Sequence, residues 1–403
     1  MSRTMAPVDD QLYVLMSGVE YGDDDLKVAF AKELRALLEE DRPLRVYLGI
    51  DPTASSLTLG HMVPLRKLRQ FQEFGHKAIF LIGDYTALIG DPSDKNKLRP
   101  LLTSEDIKRN EATYFEQVSR MLDASETELR RNSEWLSELT FKDVIALTSK
   151  FTVAEMLRRD NFRKRFEASA PIHLHEFLYA LMQGYDAMAL ECDVQVGGTE
   201  QLFNLMAGRK LQVDAGQRAH VPITLPILVG LDGKARMSKS IGNFIAVDDT
   251  PEDQYGKTMS LPDDVIGQFF MLATNLDRSE VTATIEGLVD GSRDPMTEKK
   301  RLARIIVAEF YGEDGASRAE QHFQETVQKK QIPDDMLEVA AKDGELLIDL
   351  LVRTGAVKSK REARRLFDQG AVSVDGERVE AASVAKAGAA IQVGKRRWIR
   401  IPE

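Results

Sequence analysis

The sequence predicts an α/β protein: a parallel-sheet domain, then a helical segment, then a small α+β tail. Three observations carry this. Arg45–Asp51 (RVYLGID) reads as a buried strand, Met62, Leu65, Leu68 and Phe71 recur on one helix face, and Ala78–Gly83 (AIFLIG) is a second strand. Strand, helix, strand in that order is a parallel βαβ unit. Leu261 to Lys330 has a helical pattern broken at Gly291, Asp294-Pro295 and Gly312, and the last sixty residues change character to one basic helix and short strands.

In the βαβ unit, Pro64 fits a helix only within its first turn, and Gly75 is a natural stop. The ligand site of such a unit lies at the carboxyl ends of its strands, which puts the loops Asp51–Gly60 and Asp84–Ser93 there. Leu174–Leu190 reads as a helix and Pro222–Val229 as a short apolar strand, followed by a Gly- and Lys-rich loop, Gly230–Gly242. Gln331–Asp335 reads as a linker, and the tail has turns at Asp375-Gly376 and Gly394.

Composition narrows the function. No apolar run reaches the length needed to span a bilayer, and the N-terminus lacks the apolar core of a signal peptide, so a cytoplasmic location is expected. One cysteine, Cys192, excludes an intramolecular disulfide and a thiolate cluster, and only His173 and His175 are close in sequence among six histidines. No structural metal is expected. A net charge of −10 argues against indiscriminate nucleic-acid binding, yet Gly344–Glu403 has 12 Lys+Arg against 8 Asp+Glu. A basic tail on an acidic body suits a polyanion, and equally a merely solvated surface.

Four short stretches have the residue types that nucleotide and amino-acid chemistry needs. Leu57-Thr58-Leu59-Gly60-His61 opens a helix, where unpaired N–H groups favour anions and Gly60 allows close approach. Gly233–Ser240 (GKARMSKS) offers cations suited to a leaving pyrophosphate. Tyr179, Gln183 and Asp186, spaced four and three, share one helix face and can hold an amino acid. Gln195–Gln201 (QVGGTEQ) has paired glycines that admit a sugar or base. Each taken alone is better read as a capped helix, a solvated loop, a polar stripe or a tight turn.

Together the set DPTASSLTLGH, GDPSDKNKLR, YALMQGYD, QVGGTEQ and RMSKS resembles the class I tyrosyl-tRNA synthetases of bacteria, from about Asp41 to the C-terminus. The resemblance implies a Rossmann-like catalytic domain over 1–229 with an inserted dimerisation segment. It implies a signature loop and helical anticodon-recognition domain over 230–333, and an RNA-binding domain over 340–403. It implies that Tyr47 and Asp186 bond the substrate phenol. Tyr179, Gln183 and Asp91 would hold its amino group, with Gln201 near the carboxylate and Thr86 and Asn132 in the same pocket. Gly49, Asp51, Thr53, Gly60, His61 and Met237 would line the ATP site, and Gly198 and Glu200 would meet the ribose. Lys95, Arg99, Lys239 and Ser240 would stabilise the departing pyrophosphate. Thr58 and Arg236 stand where the family signatures have His and Lys, and Glu200 where the family often has Asp. Thr58 keeps a donor but no charge, and Arg236 keeps charge with fork geometry.

Asp349–Val379 resembles a small RNA-binding module shared with a ribosomal protein. In it Lys358, Arg361, Arg364 and Arg365 form one basic helical face, and the long variable arm and anticodon stem of tyrosine tRNA are the implied targets. The implied partners are L-tyrosine, ATP with Mg2+, tyrosine tRNA and a second copy of the chain, with no membrane. The nearest rival, a tryptophanyl-tRNA synthetase, is disfavoured by the paired hydroxyl readers Tyr47 and Asp186. A catalytically silent RNA-binding paralogue is disfavoured by Lys239, His61 and Asp91.

Overall fold

The computed structural model describes residues 5–92, 102–328, 336–342, 344–357, 359–394 and 397–402. The chain packs as two compact units, Met1–Asp248 with Leu261–Pro295, and Asp249–Ser260 with Met296–Glu403.

The first unit is built on a five-stranded sheet of β1 (Arg45–Ile50), β2 (Lys77–Ile82), β3 (Thr127–Arg131), β4 (Val194–Gly198) and β5 (Val221–Leu225), ordered β3-β2-β1-β4-β5. Every pairing is parallel, with Tyr47 opposite Ile79 on β2 and Gln195 on β4. Val46, Tyr47, Leu48, Ile79 and Phe80 are all buried, as a parallel sheet covered on both faces requires. The chain leaves β1 toward β2 and β3 on one side, then returns to β4 and β5 on the other. The β1/β4 boundary is therefore the topological switch point, where a ligand crevice opens.

The helix α1 (Leu59–Glu73) buries Met62, Leu65, Leu68 and Phe71, the face read from the sequence. It begins within the Leu57–His61 opening, so Pro64, expected in the first turn, lies in the second. Pro64 has no N–H for the Gly60 carbonyl, and Gly60 and Pro64 both face an open cleft, where a carbonyl can remain solvated. The next two long helices are α2 (Leu174–Ala189) and α3 (Leu202–Asp214). They cross at glycines: a Cβ on Gly184 would lie 3.1 Å from the Gly208 nitrogen. This close approach fixes the stripe that α2 presents. The strand expected over Pro222–Val229 ends at Leu225; beyond it Val229 makes only an isolated bridge to Arg236.

The segment expected to be helical from Leu261 also breaks at Thr274, between helices Ile266–Ala273 and Arg278–Val289. In the second unit, helices Pro251–Met259 and Pro295–Phe323 share a core of Tyr255, Met259, Ala303, Val307, Ala316 and Ala319. The expected break at Gly312 is real: its φ of 71° interrupts the second of these. Gln331–Asp335 lies outside the described residues.

The tail contains α4 (Leu347–Arg353), α5 (Lys360–Asp368) and a second sheet. Its strands are β6 (Leu337–Glu338), β7 (Val372–Val374), β8 (Glu377–Arg378), β9 (Ala390–Val393) and β10 (Arg397–Arg400), ordered β6-β10-β9-β7-β8. The turn between β7 and β8 falls at Asp375 and Gly376, both with positive φ. Leu347, Leu350, Leu351, Phe367, Ile391 and Ile399 form a core of its own.

Candidate active site

Two adjoining cavities open at the carboxyl ends of β1 and β4, as the switch point requires. The larger is an open cleft of about 1020 Å³ counting its solvent-filled mouth; its lining includes Gly49, Asp51, Thr53, Thr58, Gly60, His61, Asp91, Gly198, Glu200, Arg236 and Met237. The smaller, about 300 Å³, is lined by Tyr47, Gly49, Asp51, Thr86, Asn132, Tyr179, Gln183, Asp186 and Gln201, with Leu81 and Gly83. Gly49, Asp51, Tyr179 and Gln201 line both.

The smaller cavity is held by a continuous polar network. Asp186, on α2 and 2% exposed, accepts from Trp135 Nε1 at 2.8 Å and from Asn132 Nδ2 at 3.2 Å. Burial pushes its carboxyl well above the usual carboxylate range, against the opposing pull of those two N–H donors. Asn132 also donates to Thr86 Oγ1 at 3.0 Å, and Thr86 donates to Asp51 Oδ1 at 2.7 Å. The Tyr179 hydroxyl donates to Asp51 Oδ2 at 2.9 Å. Gln183 Oε1 accepts from Asn204 Nδ2 at 2.8 Å. Gly83 leaves no alternative beside this network, because a Cβ there would lie 2.1 Å from Asp51 Oδ1. Tyr47 is fully buried, and burial raises its phenol well above its ordinary value.

In the larger cavity, Thr58 precedes the first turn of α1. Its backbone N–H donates to His61 Nδ1 at 3.1 Å, and its hydroxyl lies 2.8 Å from the same nitrogen. A ring nitrogen that accepts cannot carry the proton, so neutral His61 is protonated on Nε2. Two residues after Gly198 stands Glu200, whose carboxylate would sit 2.3 Å from any Cβ at 198. Burial, then the charge of Asp91, pushes Glu200 up to about 7.

The loop after β5 is organised by Asn243, which no pattern in the sequence singles out. Its Oδ1 accepts from Ser238 N–H at 2.8 Å, and its Nδ2 donates to the Arg236 carbonyl and to Asp232 Oδ2, both at 3.0 Å. Arg236 and Met237 reach the cleft; Lys239 and Ser240 lie on the same loop but outside its lining. Partial burial brings Lys239 down to about 8, countered by Asp248. The segment that follows this loop is tied to the start of α1: Leu59 N–H donates to the Ile245 carbonyl at 3.0 Å, and Val247 N–H to that of Leu57 at 3.0 Å.

Lys95 and Arg99 lie outside the described residues, as does Lys358. Arg361, Arg364 and Arg365 are exposed on α5, opposite buried Ala363 and Phe367. Trp135 and Arg159 were missed. Trp135 stands one helical turn after Asn132, a spacing that could have paired them; Arg159 left no signal.

Residues 39–328 match the family of class I tRNA synthetases for tryptophan and tyrosine, and residues 327–392 match the C-terminal domain of tyrosine–tRNA ligases. The chain is 47% identical to the tyrosine–tRNA ligase of Thermotoga maritima, over 92% of this chain and 93% of that one. It is 45% identical to that of Symbiobacterium thermophilum, over 100% and 99%. The chain belongs to the tyrosine–tRNA ligases. Such a ligase activates L-tyrosine with ATP to tyrosyl-adenylate and pyrophosphate, then transfers tyrosine to the terminal adenosine of tRNA, and this is the chain's reaction. The fold agrees with that of other tyrosine–tRNA ligases. The tyrosyl-tRNA synthetase of Archaeoglobus fulgidus, solved with L-tyrosine, superposes with a TM-score of 0.60 at 24% identity, covering 78% of this chain and all of that one.

Proposed function

We propose that the smaller cavity takes the tyrosine side chain and the larger one ATP, so that the carboxylate meets the α-phosphate where the two join. The observation that carries this is Asp186: a buried carboxyl held by Trp135 and Asn132 in the same small cavity as the Tyr47 hydroxyl. Two hydroxyl-reading groups suit a phenol, which both donates and accepts, whereas a tryptophan indole offers a single donor. Tyr179, Gln183 and Asp91 hold the α-amino group and Gln201 lies near the carboxylate, with Thr86 and Asn132 bracing the pocket. Gly49, Asp51, Thr53, Gly60, His61 and Met237 line the ATP site, and Glu200 beside Gly198 accepts from the ribose.

Activation needs no protein nucleophile. The tyrosine carboxylate attacks the α-phosphate, and the protein positions the reactants and stabilises developing charge. His61, oriented through Thr58, offers Nε2–H to the phosphates. Arg236, Lys239, Lys95 and Arg99 neutralise the departing pyrophosphate and the Ser240 hydroxyl donates to it; for Lys239 and Ser240 this requires the loop to close inward. Magnesium accompanies the ATP as part of the substrate.

The domain division follows function: catalysis over 1–229, the signature loop and anticodon recognition over 230–333, and RNA binding over 340–403. Lys358, Arg361, Arg364 and Arg365 meet tRNA phosphates. The enzyme works as a cytoplasmic homodimer. The exposed apolar side chains Phe141, Ile145, Val153, Phe166 and Leu174 support a second copy as the cover for the inserted segment.

One assay tests the assignment: ATP–pyrophosphate exchange with tyrosine, with tryptophan and without amino acid. Tyrosine alone should support it. Lys239→Ala should slow exchange while tyrosine binding stays unchanged, and normal exchange in that variant would remove Lys239 from the site.

A further inference from the structure

Arg159 directly precedes the helix Asp160–Glu167 in the inserted segment, and its side chain is only 5% exposed. Its Nη2 lies 3.3 Å from Asp91 Oδ1. The guanidinium stacks over Phe162 and Phe203, 5.6 Å from each ring centroid. Two residues on, Asn161 Nδ2 donates to the Pro92 carbonyl at 2.6 Å. One helix start thus grips both residues of the Asp91-Pro92 pair. Asp91 Oδ2 receives Gln201 Nε2 at 3.5 Å.

The cage around Arg159 is assembled from the elements that carry the amino-acid site. Phe162 packs edge-on against Phe177 of α2, 4.8 Å between centroids, and Tyr179 follows two residues later. Phe203 lies in the first turn of α3, two residues after Gln201. Asp91 and Tyr179 therefore share one buried cation as a neighbour, and Gln201 reaches it through Asp91.

That cation has a specific task. Asp51, Asp91 and Glu200 line the same cleft, and carboxylates that crowd one another share protons unless a positive charge intervenes. Arg236 faces the cleft from the opposite loop, while Arg159 approaches Asp91 from behind. A guanidinium stacked between two rings is also fixed in direction, which a mobile surface cation is not.

We infer that Arg159 is a positioning residue for amino-acid recognition, holding Asp91 so that its charge meets the α-ammonium of tyrosine. This rests on the proposed contact between Asp91 and that ammonium. It also makes the inserted segment a direct support of the amino-acid site.

The test compares two ligands in the full-length chain: tyrosine, and 3-(4-hydroxyphenyl)propionate, which keeps the phenol and carboxylate but has no ammonium. Arg159→Met should weaken tyrosine roughly 10- to 100-fold, the scale of one charged hydrogen bond, and leave the analogue's affinity and the KM for ATP unchanged. Arg159→Lys, which keeps a charge between the rings, should recover part of the loss. It also takes over the comparison if the Met variant does not fold, with a smaller but still tyrosine-selective deficit. Equal weakening of both ligands would reduce Arg159 to packing and overturn the inference, as would undiminished tyrosine binding. Asp91→Asn separates the two levels. If it weakens both ligands equally, the contact proposed for Asp91 fails. If it is selective for tyrosine while the Arg159 variants are not, only the inference about Arg159 fails.

Discussion

At the scale of single residues, the amino-acid pocket depends on how a buried carboxyl is supplied with partners. Asp186 has Trp135 and Asn132, and neither can be replaced by water in a closed space. Trp135→Phe keeps most of the ring volume and deletes one N–H. The preference for tyrosine over phenylalanine should then fall roughly 10-fold, the cost of one hydrogen bond to a charged or strongly polarised group. Exchange rates with both amino acids measure this, and an unchanged ratio would show that Asp186 is oriented without the indole. Glu200 gives a pH dependence of definite sign. Its folded-state value, about 7, lies above the 4.5 of an ordinary glutamate. The folded protein therefore holds an extra proton between those values, and the stability this contributes is complete below about 4.5 and lost as pH rises through 7. Denaturant unfolding should show wild type losing stability relative to Glu200→Gln over that window. A ribose hydroxyl prefers the ionised acceptor, so the KM for ATP should fall over the same rise in wild type and stay flat in the Gln variant.

Among the secondary-structure elements, α1 shows a conflict between helix and site. Pro64 sits in its second turn and leaves the Gly60 carbonyl without its helical donor. Pro64→Ala should restore that bond and stabilise the chain by about 1–3 kcal/mol, read as a higher denaturation midpoint. A destabilised variant would mean that the proline's fit to the cleft wall outweighs the missing bond. The same helix shows what sequence can and cannot reveal. Its apolar face was legible because Met62, Leu65, Leu68 and Phe71 obey the helical period, and its opening because Leu57–His61 reads as a helix entry; the place of Pro64 was not, because it lies one turn deeper than its missing N–H favours. The stripe Tyr179, Gln183 and Asp186 was legible as one face of α2, and the structure brings all three to one cavity. Trp135, Arg159 and Asn243 were not, because their partners lie 51, 68 and 5 to 11 positions away and only folding brings them together. Strand β3 was also missed: Thr127–Arg131 (TELRR) is a polar edge strand with no alternation to betray it.

Across the whole molecule, charge is divided by task. The body is acidic, while α5 in the tail presents Arg361, Arg364 and Arg365 to solvent. Their helix is anchored from the other side, by Ala363 and Phe367 in the tail's own core and by the Ser359 hydroxyl, which accepts from Glu362 N–H at 3.2 Å. None of the three arginines contributes to that core, and alanine favours helix at least as well as arginine. Replacing all three with alanine in the full-length chain should therefore leave folding and tyrosine-dependent pyrophosphate exchange unchanged. Charging of tRNA should suffer instead. Removing one cation from a phosphate lowers the dependence of log affinity on log salt by about 0.7 to 0.9, so the slope for tRNA should flatten by up to roughly 2 to 3. The KM for tRNA should rise most at low salt, where counterion release contributes most. If the salt slope is unchanged in the triple variant, the basic face is only solvated and tRNA is held elsewhere. If exchange falls together with charging, the tail acts on activation itself, and the separation between amino-acid chemistry and RNA binding proposed for this chain is wrong.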